Sequence, residues 1–281
     1  DKYRQMNKIQ GRKCYFRSEY CVMRSILAAI RIISVFIIIL AGVTVLAIMM
    51  PFTSRKFAHR VFMALKGLML WVVGVRVHGP EFETIQPGMI MANHRSYLDV
   101  LFIPTKRLFT IVGKVEVRSW PVIGWAARAL GVIWVKRESK ESRRSTRDYI
   151  VKAMKRGETV VLFPEGTSGE GPTLLPLKPA MFFECAKHNF PIYQWSLHFD
   201  NAKTAFPPGI SFIKHLWAIC REWHINAYIE IREQPLQSNN GEELIEDAKY
   251  WWNNSLIGLS KAYPAKYSGY WPDDRTLEIT A

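Results

Sequence analysis

The chain has 281 residues, 49% of them hydrophobic, and carries 38 Lys and Arg against 24 Asp and Glu, a formal net charge of +14. That length accommodates one large α/β domain with a smaller attachment, and that apolar content excludes an intrinsically disordered chain, which buries too little surface to offset its conformational entropy. A strongly basic balance points to anionic neighbours, either nucleic acid or lipid head groups, and the N-terminus selects lipid over nucleic acid.

Residues 32–50, IISVFIIILAGVTVLAIMM, run without a charge. As a helix this stretch spans about 28 Å, close to the hydrocarbon thickness of a bilayer. A soluble helix keeps a polar face over such a length, and the run is too long for a cleaved signal peptide and lacks a small-residue cleavage site. Basic residues flank it on both sides, among them Arg24, Arg31, Arg55 and Arg60, so the positive-inside rule gives no orientation. A second apolar segment, residues 61–75, is interrupted by Lys66. Two arrangements fit. One is a helical hairpin turning near Pro51 and Ser54 and lying in one leaflet. The other is a single span followed by an interfacial helix. In both, the basic flanks meet anionic head groups. Residues 1–78 are therefore expected to form membrane-anchoring helices and residues 79–281 an α/β domain. The four cysteines, Cys14, Cys21, Cys185 and Cys220, form neither a C-x-x-C pair nor a zinc-spaced cluster. They read as small apolar residues in a reducing compartment, with the active site facing the cytoplasm.

Beyond Gly79 strand and helix signals alternate. GMIMANH is an apolar strand that stops at polar residues, and LFTIVGK is a second strand. WPVIGWAARALG reads as a helix with Pro121 near its start and Gly131 at its C-cap. VIWVKR is a short strand, SKESRRSTRDYIVKAMKRG a basic exposed helix ending at Gly157, and TVVLFPEG a β-branched strand stopped by Pro164. LKPAMFFECAKHN is a helix, FPIYQWSLHF and INAYIEIRE are strands, and a long amphipathic helix begins at GEELIED. The alternation predicts an α/β fold, a central mixed sheet flanked by helices, with chemistry in the loops beyond strand ends.

Two such loops stand out, NHRSYLD and FPEGTSGEG. Five residues turn an ideal helix by about 500°, which leaves His94 and Asp99 roughly 140° apart and on different faces. For the two to meet, His94 must precede a short helix, capped by Asn93 or Ser96, that carries Asp99 in its first turns. The aspartate then fixes one ring nitrogen and leaves the other as a general base. The chain has no G-x-S-x-G elbow to supply a nucleophile. The nucleophile is then the substrate's own hydroxyl, as in direct acyl transfer. In the second loop the backbone amides of Gly166, Thr167 and Gly169 can cradle an anion or an oxyanion, and Glu165 can bind acceptor hydroxyls or organise the turn.

With both loops in view, the chain resembles the glycerolipid acyltransferase family, typified by 1-acylglycerol-3-phosphate acyltransferases. Four blocks match in order: N-H-x-S-x-x-D at residues 93–99; G-x-I-x-x-x-R at Gly131, Ile133 and Arg137; F-P-E-G-T at residues 163–167; and a proline-led apolar strand at FPIYQW around Pro191. The resemblance implies that His94 is the base and Asp99 its partner. Asn93, Ser96, Lys114, Arg137, Glu165, Gly166, Thr167 and Ser168 would line the substrate site, with Lys178 as a further cation. It implies an acyl-CoA or acyl carrier protein thioester as donor, a lysolipid as acceptor and membrane lipids as surroundings, with no metal and no tightly bound cofactor. The expected acceptor is 1-acylglycerol-3-phosphate. Family members acting on it usually carry arginine, a good phosphate ligand, where this chain has Ser168. Gln194 likewise stands where another proline is common. A non-phosphate acceptor such as lyso-ornithine lipid therefore stays open, as does a hydrolase that directs the same pair at water.

Overall fold

The computed structural model describes residues 2–49, 52–83, 85–120, 123–169, 173–206 and 209–266, with side chains from Cys21 onward. A seven-stranded mixed sheet forms the middle layer. Its strands are β1 (Val75–His78), β2 (Met89–Ala92), β3 (Phe109–Lys114), β4 (Ile133–Val135), β5 (Thr159–Leu162), β6 (Ile192–Phe199) and β7 (Ile225–Ile231). They are ordered β1-β7-β6-β2-β5-β3-β4. Every neighbouring pair is parallel except β6 and β7, so β2 sits centrally with β5 and β6 running beside it. The chain leaves β2 toward β3 on one side and later places β6 on the other. That reversal is where open α/β sheets build sites, beyond the carboxyl ends of the strands.

The central strands are buried on both faces, which explains their unbroken apolar runs. Met89 and Met91 of β2 point into one core and Ile90 and Ala92 into the other, the alternation that the pleat dictates. The Met89 side is covered by α4 (Lys140–Lys155), α5 (Ala180–His188) and α7 (Gly241–Ala262), through Ile150, Phe182 and Trp252. The Ile90 side is covered by α1 (Lys2–Met49) and α2 (Arg55–Val73), through Ala28, Leu70 and Val73. Two short helices, α3 (Ile123–Ala129) and α6 (Phe212–Cys220), lie against α1.

The two N-terminal helices are thus a layer of the fold. Segment 61–75 is helical as far as Val73, and its helix starts earlier, at Arg55 with Ser54 as N-cap, while Val75 already belongs to β1; Pro51, at the expected turn, lies outside the described residues. β1, within the segment expected to anchor, is hydrogen-bonded along β7, so anchor and sheet are continuous there. Three cations on the hairpin donate to main-chain carbonyls of the domain. Arg31 donates to Cys220 O at 3.2 Å, to Trp223 O at 2.9 Å and to Glu222 O. Arg55 donates to Leu130 O and Phe109 O, each at 3.0 Å, and to the Thr110 hydroxyl, and pairs with Glu158 at 3.1 Å. Lys66 donates to Ile103 O at 3.1 Å. Gly74, at φ +80°, lets the chain turn from α2 into β1 under Arg31, where a Cβ would stand 2.4 Å from Nη2.

Outward from this packing, Ile26, Ile30, Ile33, Ile37 and Leu40 are exposed at helical spacing. Cys21–Met49 is long and apolar enough to cross a membrane, and most of that surface is open to one side. Arg31 was read from the sequence as a flanking charge; it is buried instead. Replacing it with methionine keeps the length and removes every donor, leaving the carbonyl ends of α6 unsatisfied. The expected loss is about 3 kcal/mol, read as a lower unfolding midpoint in detergent. An unchanged midpoint would remove Arg31 from the contacts that dock α1.

Candidate active site

β2 stops at Ala92 because Asn93 substitutes its side chain for main chain. Its Nδ2 donates to Leu197 O at 2.9 Å, and its Oδ1 accepts Leu197 N at 2.7 Å. The amide extends the β2–β6 ladder while the backbone turns away, so Asn93 is committed to the sheet. Ser96 then caps a 3-10 turn, Tyr97–Leu101, in a reciprocal capping box with Asp99. The expected short helix is therefore this tighter turn. Ser96 itself is fully buried.

Asp99 Oδ2 is the convergence point. It accepts Arg95 N at 2.6 Å, Ser96 N at 2.9 Å and His94 Nδ1 at 2.7 Å. An oxygen that already receives two main-chain N–H groups acts as an acceptor toward the ring, so Nδ1 carries its proton and Nε2 keeps a lone pair. Asp99 is wholly buried, whereas 14% of the His94 side chain is open. The imidazole stacks on Phe163, ring centroids 4.4 Å apart and planes 20° apart, which fixes the ring about its remaining torsion.

The loop after β5 is tied to this turn. Glu165 is buried, and its two oxygens accept His94 N at 2.6 Å and Leu175 N at 2.8 Å. Burial pushes its carboxyl above the ordinary carboxylate range, and the two amides together with Arg95 and His94 pull it back. Of the two functions open to Glu165, the geometry matches organising the turn. Gly169 N donates to His94 O at 2.8 Å, and Gly166 N to Phe163 O at 3.1 Å. Of the three amides expected to cradle an anion, these two are engaged internally. Gly166, at φ +70°, lets the Lys178 side chain cross 3.5 Å from where a Cβ would be. The Ser168 hydroxyl donates to Phe206 O, and Phe206 N donates to Arg95 O at 2.7 Å.

The structure therefore brings Asn93, His94, Ser96, Asp99, Glu165, Gly166, Thr167 and Ser168 together across the ends of β2 and β5. Lys114, the last residue of β3, and Arg137, just after β4, lie farther along the same edge, on strands about 10 and 14 Å from β2 at normal strand spacing. Lys114 pairs with Glu116 at 3.2 Å and Glu138 at 3.9 Å. Arg137 is half-buried, and burial lowers its guanidinium below the usual value. Among the described residues no three His, Cys, Asp or Glu side chains converge on a metal-sized site.

Sequence reasoning passed over the groups behind the turn. Tyr97 packs edge-on to Phe206 and donates to His215 Nδ1 at 3.0 Å. His215 Nε2 donates to Ala205 O at 2.9 Å. A carbonyl only accepts, so the His215 tautomer is settled; burial holds its pKa down to about 4, and the ring is neutral. Residues 200–224 carry no motif that would have exposed this. Arg95 and Phe163 lay inside quoted motifs, without a pattern to set them apart.

Comparison with known proteins identifies the family. A family model described as Acyltransferase matches residues 74–197. The chain is 30% identical over 218 residues to the lyso-ornithine lipid O-acyltransferase of Rhizobium meliloti (strain 1021), covering 70% of this chain and 73% of that one. It is 30% identical over 129 residues to the 1-acyl-sn-glycerol-3-phosphate acyltransferase of Neisseria gonorrhoeae, covering 45% and 51%. The fold superposes on the crystal structure of the 1-acyl-sn-glycerophosphate (LPA) acyltransferase PlsC of Thermotoga maritima with a TM-score of 0.65 at 18% identity, over 89% of this chain and 100% of that one. With a matching fold, the ordered blocks and a relative covered over nearly three quarters of its length, the chain belongs to the glycerolipid acyltransferase family of O-acyltransferases.

Proposed function

We propose that this protein is a membrane-bound enzyme that moves a fatty acyl group from a thioester, acyl-CoA or acyl carrier protein, to the free hydroxyl of a lysolipid. The observation that carries the reading is His94, held by Asp99 through Nδ1, which leaves Nε2 with its lone pair on a side chain that is partly open. Nε2 takes the acceptor's hydroxyl proton as that oxygen attacks the thioester carbonyl carbon. The carbonyl oxygen becomes an oxyanion, for which the Thr167 amide is the loop donor we assign. Collapse breaks the C–S bond and completes the ester, and the leaving thiolate takes the proton back from the His94 imidazolium. The buried Asp99 carboxylate stabilises that imidazolium without itself being protonated.

For the acceptor we favour an amino-acid lysolipid of the lyso-ornithine type. Position 168, next to His94, offers a hydroxyl already donated to Phe206 O, not a guanidinium, and the Rhizobium meliloti relative carries that activity in its name. Lys114 and Arg137 on the same edge support 1-acylglycerol-3-phosphate as the second reading. The open apolar face of α1, packed sidelong on the domain, supports a hairpin lying against one leaflet. The free thiols of Cys21, Cys185 and Cys220 fit a site on the reducing, cytoplasmic side.

Purified protein with labelled acyl-thioester donors and a panel of lysolipids tests the reaction. Transfer to lyso-ornithine lipid is expected to exceed transfer to lysophosphatidic acid, and His94→Ala to abolish both. Fatty acid released without any acceptor would mark a hydrolase instead. Asp99→Asn is expected to lower kcat by at least about 10²-fold with KM nearly unchanged, since the wrong tautomer faces the substrate. A variant with full kcat would separate Asp99 from catalysis. Ser168→Arg removes the bond to Phe206 and adds a cation beside His94; it is expected to raise the ratio of lysophosphatidic acid to lyso-ornithine lipid turnover. A constant ratio would detach position 168 from acceptor choice.

A further inference from the structure

Arg95 follows the catalytic histidine, and its main chain is doubly committed. Its N–H goes to Asp99 and its carbonyl receives Phe206 N. Its side chain turns inward. Arg95 is one of two buried arginines among the described residues. Its Nη1 donates to Thr173 O at 3.5 Å and lies 3.5 Å from where a Cβ on Gly169 would stand. The guanidinium therefore sits behind the loop that Glu165 organises. We propose that Arg95 is a positioning residue: its buried charge holds Glu165 as the anion that ties the main chain of the His94 turn to residues 163–175.

The chemistry of the two amides requires that anion. A carboxylate accepts at both oxygens, so it holds His94 N and Leu175 N at once. A neutral carboxyl turns a hydroxyl on one of them and releases it. Burial works toward the neutral form; the two amide hydrogen bonds and, after them, the positive charge of Arg95 work against it. The other groups facing this cluster are His94 with Asp99 behind it on the β2 side, Lys178 crossing Gly166, and His198 on β6. His198 is reached by the Arg95 charge and is pushed below its ordinary value, chiefly by burial. Among these, the carboxyl that bonds both segments is Glu165.

The test measures acyl transfer against pH for Arg95→Gln and Arg95→Lys, each in the Glu165 and the Glu165→Gln background. Arg95→Gln is expected to move the acid limb up by about one pH unit. Arg95→Lys should keep it near its original place. In the Glu165→Gln background, removing Arg95 should not move it. A rate lowered equally at every pH would overturn the proposal. So would a shift that survives Glu165→Gln, which would mean that Arg95 acts on His94 directly.

Unfolding midpoints give a second arm that does not use activity. The folded state holds the Glu165 proton more tightly than the unfolded state, because its carboxyl is raised. Loss of Arg95 raises it further, so folded-state proton binding stabilises the Arg95→Gln variant increasingly as pH falls. The gap between Arg95→Gln and the unaltered protein should be widest at alkaline pH, where Glu165 is ionised in both, and close as falling pH protonates Glu165. A gap that stays constant or widens with acid would overturn the proposal. The inference rests on the acyl-transfer reading for its kinetic arm alone, so failure of that reading and failure of the Arg95 assignment are distinguishable.

Discussion

One carboxylate oxygen carries the site. Asp99 Oδ2 receives the imidazole Nδ1 and two successive main-chain amides, and the same side chain closes the capping box of the 3-10 turn. Hydrogen bonds to a charged group contribute about 1.5–3 kcal/mol each, and a buried amide left without a partner costs a comparable amount. The atom that orients the His94 ring is therefore also the atom that folds the turn presenting it. This explains the spacing. Aspartate five residues after histidine serves because the ring precedes the turn while Arg95 N and Ser96 N point back into it. A one-residue change in the interval would satisfy either the ring or the amides.

The same economy runs through the surrounding motif residues. Asn93 replaces a stretch of ladder, Glu165 joins two segments through their amides, and Ser168 with Arg95 O grips both ends of the Phe206 residue. Most polar side chains of the two blocks are spent on holding backbone, and the His94 side chain stays partly open. Polar groups at this density would be destabilising in an apolar layer if left unmatched. Matched as they are, they make a rigid rim around the His94 ring. Lys114 and Arg137 differ in kind: they are cations along the edge, paired with or near surface carboxylates, and so available to anions arriving from solvent.

How far the sequence could be read follows from the range of each interaction. The strands declared themselves by β-branched runs and the helices by periodicity, because both signals are local. The His94–Asp99 contact was legible for the same reason, five residues being within the reach of helix arithmetic. β1 was hidden because VRVH is only four residues long and follows an apolar helix after a single glycine, and what makes it a strand is its pairing with β7, 150 residues away. Arg31 looked like an interfacial charge because its carbonyl partners are 189 to 192 residues on. Ser168 drew attention as a departure from family pattern, but its bond to Phe206 joins two loops with no shared motif. Spacing cannot report a contact whose partner is chosen by the fold.

These long-range ties also bear on how the anchor relates to the chemistry. Arg31 of α1 holds the last carbonyl of α6 and that of Glu222 just beyond it, and α6 presents His215, whose ring joins Tyr97 in the turn after His94 to Ala205 beside Phe206. Glu222, whose carbonyl Arg31 also holds, pairs with Lys203 at 3.0 Å in the segment leading to Phe206. Each contact in this chain is buried or half-buried, so each is only weakly screened by solvent. A hairpin joined to the turn by such contacts does not behave as a tether on which a soluble domain swings. It sets the position of His94 relative to the apolar face of α1. On the proposed reading this matters because the lysolipid acceptor keeps its chain in the bilayer. The hydroxyl must then meet the base at a depth fixed by the fold, and a layer packed directly on the sheet fixes it more firmly than a flexible linker can.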